Sequence, residues 1–533
     1  MLFRNKSCYP VYMTIGNIPK DIRRKPSRGG WMLLGYLPVT RLEHVNNKAA
    51  RCRALTNLFH ACLRHMLEPL EQASHDGVPM TSGDGVVRRG HPIIACYSGD
   101  YPEQVLVTGI KTGQCPKCDI EHDELGSADT PAALRDLTAV LEVLALIDED
   151  YVAFNHACRD LGIKPIYKPF WEPHAHLNIF LSITPDVLHQ LYQGILKHLL
   201  AWIRGCCSEA EIDAHCRRLP PNHNIRLFMK GITSLSRVSG TEHDQICRFL
   251  LGIIIDIPLA GGFNAARLLR ATRAILDFIY LAQYPCHTSD TLPLLDDALS
   301  RFHSNKSIFV DLGIRANFNL PKLHLLRHYI EMIRLFGTTD NYSTEYTERL
   351  HIDLAKDAYR ATNHKEEYYQ MTKWLERREK VLWHRSFIRW REQGDTAVSV
   401  RVPPDMCYAR VMKMTNHPSI NRVLFKSVIA TYRARFFVDA LCRFVAGVQQ
   451  PGINGMQLER AACSVVLPFY AVSVFHKIKF HSIDGLGHEV EDKTVDAIHC
   501  HPDRRDIRGK IVPGRFDTAL VKVGEGGDVG VEG

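Results

Sequence analysis

Short runs of aromatic, branched and other apolar residues open the chain. Tyr9–Ile15 and Trp31–Leu37 have the composition of strands, and a basic turn from Lys20 to Arg28 separates them. From Lys48 to Gln72 the period changes. Leu55, Leu58, Phe59, Cys62, Leu63, Met66 and Leu67 recur at steps of three and four, which predicts one helix. A further apolar run, Ile93-Ile94-Ala95-Cys96-Tyr97, is built like a buried strand and stops at Ser98-Gly99-Asp100. The expected order of the amino-terminal fifth is strand, strand, helix, strand.

Between Ala128 and Tyr280 the pattern is mostly helical, opening with Leu137, Val140, Leu141, Val143, Leu144 and Leu146. That length is too great for a loop and is expected as an inserted domain. Within it, Thr184-Pro185-Asp186-Val187-Leu188-His189 predicts a helix start, with Thr184 as cap, Pro185 in the first position and Leu188, Leu191, Tyr192, Ile195 and Leu199 on the apolar face. The most apolar window, Phe249–Leu259, is broken by Asp256 and Pro258 well short of a membrane span and reads as a buried helix or core segment. Ser343–Asn363 predicts another long helix, and Gln370–Glu392 continues helically with dense positive charge. Beyond Thr396, β-prone pieces at Val465–Val474, Lys477–His481 and Asp517–Val523 predict an α+β accessory domain, followed by a glycine-rich, disordered tail. The expected division is 1–125, 126–320, 321–395 and 396–533.

Composition sharpens this only a little. With 533 residues, 45% hydrophobic and 23% charged, the chain is long enough for several domains with real cores. A net charge of +8 permits an anionic partner without demanding one. Sixteen cysteines without a disulfide rhythm, and no apolar leader after Met1, point to a reducing intracellular compartment.

Several groups carry candidate chemistry. Asp100, at the end of a strand, is placed to hold a divalent cation against a phosphate; a plain turn aspartate is the alternative. Cys115-Pro116-Lys117-Cys118 offers two thiolates to a structural Zn2+, which needs four ligands, and the nearby His122, His156 and Cys158 select no pair; two reduced cysteines in a turn are the alternative. Asp186 and His189 stand on neighbouring surface of one helix turn, although an aspartate there also suits the helix dipole. Glu345 and Glu348 lie along one side of the later helix. His324 and His328 share an i,i+4 spacing but lack the glutamate of a metalloprotease motif; metal or phosphate binding is open to them, and a polar helix face is the plainer reading. The run from Lys373 to Arg391 interleaves cations with aromatics, as phosphate contact and base stacking require and as snorkelling surface helices also do.

Taken together, Tyr9-Pro10-Val11-Tyr12-Met13-Thr14-Ile15-Gly16-Asn17-Ile18, Gly99-Asp100-Tyr101-Pro102-Glu103-Gln104, the Cys115–Cys118 turn, Thr184–Trp202, Thr344–Asn363 and Gly514-Arg515-Phe516-Asp517-Thr518-Ala519-Leu520-Val521 resemble the Plavaka transposases of fungi. That group is close to the CACTA-type cut-and-paste DDE transposases. The resemblance implies an α/β, RNase H-like catalytic core interrupted by a large helical insertion, and α+β architecture overall. It implies that Asp100 is the second acid, that Asp186 and His189 are the Asp-x-x-His pair beside the site, with Asp186 an alternative second ligand, and that Glu348 or Glu345 is the last acid. Mg2+ or Mn2+ held by Asp100 and Glu348 would then serve DNA strand cleavage and transfer. The implied partner is DNA at transposon ends, met by Arg23, Arg24, Lys25, Arg377, Arg378, Arg385 and Arg389, in the nucleus, away from membranes and as a homo-oligomer. The resemblance also puts the first acid on a strand before Tyr9, whereas Met1 to Cys8 holds no acid. A core lacking its first strand, with impaired catalysis, is therefore expected. A non-catalytic, transposon-derived DNA-binding or scaffolding protein is the alternative.

Overall fold

A computed structural model describes residues 2–517 apart from 4–5, 26–28, 83–84, 175, 223–224, 237, 394–406, 416, 454, 485–488, 491–495 and 506–508. The strand expected beyond Asp517 and the glycine-rich tail lie outside the described residues. The architecture is α+β, 52% helical with small sheets. Contacts divide it into two compact units, Met1–Arg218 with Phe228–Val398, and Leu219–Leu227 with Ser399–Gly533.

In the first unit a short pairing of Leu2–Phe3 with Lys6–Ser7 precedes an antiparallel hairpin. Strand β1 (Tyr9–Thr14) pairs with β2 (Trp31–Leu37), Tyr9 opposite Leu37 and Thr14 opposite Trp31. Helix α1 (Lys48–Asp76) follows, started by the Asn47 side chain, which accepts from the Ala50 amide. Its periodic face delivers Phe59 and Leu63 into a buried cluster with Leu37, Val107, Phe170, Trp171 and Ile183, so helix and hairpin share one core.

Strand β3 covers Tyr97–Gly99 and pairs in parallel with β4, Ile183–Pro185. The apolar run before Tyr97 is not strand, because β4 offers partners for three residues only. Pairing with β3 also overturns the expected helix start at Thr184. Thr184 and Pro185 are extended and fully buried in β4, and the cap falls to Asp186, whose carboxylate accepts from the His189 amide. The helix it opens, α3, is π-helical over Val187–Leu196 and α-helical over Lys197–Cys206.

Further helices build the bulk of the unit. Gly240–Ile254 starts with a capping box between Ser239 and Glu242, and buries Ile246, Leu250, Ile253 and Ile254. The first half of the apolar window, 249–254, thus forms the buried end of a helix, whereas Ile255 beyond it is 52% exposed. Ala266–Leu281 packs beside it and Leu292–Asn305 packs on Ala266–Leu281, with Ile275, Phe278, Leu295 and Phe302 buried.

The two later helices return to the hairpin. Helix α4 runs Glu345–His351, continues through a π turn at Ile352–Lys356 and ends as Asp357–Arg360. It lies against β1 and β2: Tyr12 and His351 rings are 5.5 Å apart, Trp31 and Tyr346 6.3 Å, and the Tyr36 hydroxyl donates to the Leu354 carbonyl at 2.5 Å. Helix α5 (Glu367–Gln393) is anchored by Met371, which is buried with Cys8, Ala355 and Ala358.

The second unit contains a five-stranded antiparallel sheet. Its central strand Lys477–Asp484 pairs with Cys407–Lys413, Glu489–Val490 and Asp496–His501, and the last of these pairs with Arg515–Phe516. Ala471–Val474 pairs instead with Ile420–Leu424, and Val465 to Tyr470 is not strand. Among its helices are Phe425–Thr431, Phe437–Gln449 and Gly455–Cys463.

Candidate functional site at the parallel strand ends

Gly99 and Pro185 are the last paired residues of β3 and β4, so the next residues on each strand, Asp100 and Asp186, leave the sheet side by side. Each caps a helix. Asp100 accepts from the Glu103 amide at 2.9 Å and starts α2 (Tyr101–Val107); Asp186 accepts from the His189 amide at 3.1 Å. Capping explains the residue type at both positions, but it does not explain the burial of Asp186, which is 0% exposed. A buried carboxylate needs compensation.

The compensation is local and cationic. Asp186 Oδ2 lies 3.1 Å from His189 Nδ1 and accepts from the Thr344 hydroxyl at 2.5 Å, while Oδ1 has no hydrogen-bond partner among the described residues. The other side of the His189 ring faces the later helix, with Nε2 3.2 Å from Glu348 Oε1. Burial works against charge on His189, but its hydrogen bonds to Asp186 and Glu348 outweigh that and raise its pKa to about 10. Glu348 is 44% exposed, and Glu345 lies exposed on the same first turn of α4. Among the described residues, Asp100, Asp186, Glu345 and Glu348 do not make a group of three or more ligand atoms within 4.8 Å.

Two residues that sequence reasoning did not single out belong to this neighbourhood. Lys322 donates to the His189 carbonyl at 3.0 Å and interacts electrostatically with both Asp100 and Asp186. Glu103 accepts from the Tyr97 hydroxyl at 2.7 Å and from Tyr9, joining β3 to β1; burial raises its pKa, and those hydrogen bonds oppose the rise. The Pro102-Glu103 word beside Asp100 was a signal for Glu103. Nothing local in the sequence marks Lys322.

The cysteine turn finds partners that spacing did not select. His122 bonds the Gly113 carbonyl, His156 is exposed and Cys158 belongs to the hydrophobic core. The residues that converge on Cys115 and Cys118 are His324 and His328, which favours the metal-binding alternative for these histidines over a plain polar helix face. Cys118 Sγ is 3.0 Å from His324 Nε2, and Cys115 Sγ is 3.6 Å from His328 Nε2.

The expected DNA-binding cations separate into two sets. Arg23 donates to Asn341 Oδ1 at 2.6 Å, Arg24 pairs with Asp21 at 3.2 Å and Asp340 at 3.8 Å, and Lys25 is 6% exposed. Arg23 and Arg24 thus fasten the basic turn to the segment before α4. Arg377 and Arg385 are exposed on α5, where Trp383 is 73% exposed, and Arg378 sits over the Trp374 ring at 5.5 Å. The side chain of Arg389 lies outside the described residues.

The fold is thus α+β, with two acids and an imidazole gathered where two parallel strands end. No helix among the described residues is long and apolar enough to cross a membrane. The Plavaka transposase family model matches residues 1–203, so over that region the chain is similar to the Plavaka transposases. The match takes in Asp100, the cysteine turn, Asp186 and His189. None of the curated proteins compared matches the chain.

Proposed function

We propose that the first unit derives from the catalytic region of a DDE transposase with an RNase H-like core, which acts on DNA with Mg2+ or Mn2+. The observation that carries this reading is the parallel pairing that brings Asp100 and Asp186 together at adjacent strand ends, with Glu348 reaching His189 from far along the chain. Hard cations favour carboxylate oxygens held on rigid elements, and phosphoryl transfer needs such cations at the attacking and leaving oxygens. Asp100 and Glu348 are the residues proposed to hold the metal. Asp186 and His189 are assigned a positioning role, because Asp186 is buried and His189 already engages both acids. Metal entry has to draw Glu348 away from His189 and offset the Lys322 charge, so weak metal binding and slow cleavage are expected.

The test is nicking of supercoiled plasmid by the full chain with Mg2+ or Mn2+, beside binding of a fluorescent duplex over a salt series. The reading expects salt-sensitive binding and metal-dependent nicking that Asp100→Asn and Glu348→Gln each reduce at least tenfold. Nicking that survives both substitutions overturns the site. Binding without nicking favours the second reading, a transposon-derived DNA-binding protein, for which the exposed cations and Trp383 of α5 speak.

A further inference from the structure

We propose that Cys115, Cys118, His324 and His328 bind one structural zinc ion, and that this ion clips the turn after α2 to the segment leading toward α4. The proposal does not depend on catalysis. Its first support is the donor set. Two sulfurs come from one tight turn and two imidazole nitrogens from one helical turn, and all four ligand atoms lie within 4.8 Å of one another. A tetrahedral zinc with bonds of about 2.3 Å to sulfur and about 2.0 Å to nitrogen separates those atoms by roughly 3.5 Å. The observed 3.0 and 3.6 Å between sulfur and nitrogen require only a small opening. Two thiolates and two imidazoles in that arrangement suit zinc over magnesium or calcium.

The second support is the surrounding shell. Cys115, Cys118 and His324 are at most 2% exposed, which suits a closed structural site with no open position for water. The Lys117 amide points at Cys115 Sγ from 3.4 Å, and Arg135 Nε holds the Cys115 carbonyl at 3.1 Å, so the turn is already shaped around its sulfurs.

The third support is what the clip would join. Between the two cysteines, Lys117 Nζ donates to the carbonyls of Leu181 at 2.8 Å and Ile183 at 3.2 Å, gripping the start of β4, which ends beside Asp186. Just before His324, Lys322 donates to the His189 carbonyl and its own carbonyl accepts from Gln190. Cys118 and His324 are 206 residues apart in sequence, so a bond through one ion replaces a costly loop closure. The ion would thereby fix the distance between the strand that delivers Asp186 and the segment that leads to Glu348.

Elemental analysis of the full chain, purified without metal-affinity resin, tests this. About one zinc per chain is expected, falling at least fivefold in Cys118→Ser and His324→Gln and unchanged in Cys62→Ser. Should the ligand variants fail to fold, Co2+ exchanged into the unaltered protein gives the readout: intense visible bands of a tetrahedral ion and a thiolate charge-transfer band. Chelation should then raise amide exchange over 115–118 and 321–336, leaving 420–474 unaffected. Absence of stoichiometric zinc together with an octahedral or absent cobalt spectrum overturns the proposal, as does full zinc content in folded Cys118→Ser.

Discussion

Asp186 and Glu348 are joined through His189, whose Nδ1 lies 3.1 Å from one and whose Nε2 lies 3.2 Å from the other. The two ends of this relay are unequal, since Asp186 is wholly buried and Glu348 is 44% exposed. Removing the imidazole leaves a buried carboxylate with the Thr344 hydroxyl as its remaining side-chain partner. His189→Ala should therefore cost about 3 kcal/mol of stability. Glu348→Gln removes the exposed end and should cost under about 1 kcal/mol. Urea unfolding of both variants checks this, and equal losses would mean that the relay does not stabilise Asp186.

Thr344 offers a finer probe. Its hydroxyl donates to Asp186 Oδ2 at 2.5 Å from the residue just before α4. Thr344→Val keeps the shape and deletes the donor, and loss of a hydrogen bond to a charged group should cost about 1.5–3 kcal/mol. His189→Ala/Thr344→Val should be less destabilised than the sum of the single variants, because both act on the same carboxylate. Strict additivity in the double-mutant cycle would break that link.

A titration limb should come from α1. His60 is fully buried, its Nε2 is 3.0 Å from the Leu106 carbonyl, and burial lowers its pKa from 6.5 to about 4. Between those values the unfolded chain binds a proton that the folded protein refuses, so stability is present above pH 6.5 and falls as pH drops toward 4. The loss from this group should reach roughly 3 kcal/mol. His303, also lowered to about 4 with burial as the first cause, adds to the same limb. His60→Gln keeps a donor for Leu106 and removes the titration, so unfolding free energies at pH 7 and pH 4.5 should differ less than in the unaltered protein. An unchanged acid limb would assign it to other groups.

What could be read from sequence was set by local period and by words. The α1 stripe from Leu55 to Leu67 and the two hairpin runs are local patterns, and they appear with small shifts at their ends. The start of α3 differs from the expected one because Thr184-Pro185-Asp186 satisfies helix-start chemistry in isolation. The deciding partner, β3, lies 86 residues earlier (Gly99 against Pro185) and leaves no mark in that word. The cysteine turn shows the same limit. Cys115 and Cys118 announce half a metal site, but His324 and His328 are more than two hundred residues away, and only the fold selects them over His122, His156 and Cys158. Basic residues carry still less information locally. Arg23 and Arg24 look like a DNA-binding turn, yet Asn341 and Asp340 take up their charge and donors.

That last contrast yields a prediction about DNA. Exposed cations that neutralise phosphates release counterions, so each contact contributes a slope of about −0.9 to log affinity against log salt. Arg377→Ala and Arg385→Ala, on the exposed face of α5, should each weaken duplex binding and lower the magnitude of that slope by about 1. Trp383→Ala should weaken binding to single strands more than to duplex and leave the slope unchanged, since stacking releases no counterions. Arg23→Ala and Arg24→Ala should leave the slope as it is and lower stability instead, because these side chains hold the basic turn to the segment before α4. Fluorescence anisotropy across a salt series separates the two sets. A slope that falls with Arg23 or Arg24 and not with Arg377 or Arg385 would move the DNA surface from α5 to the basic turn.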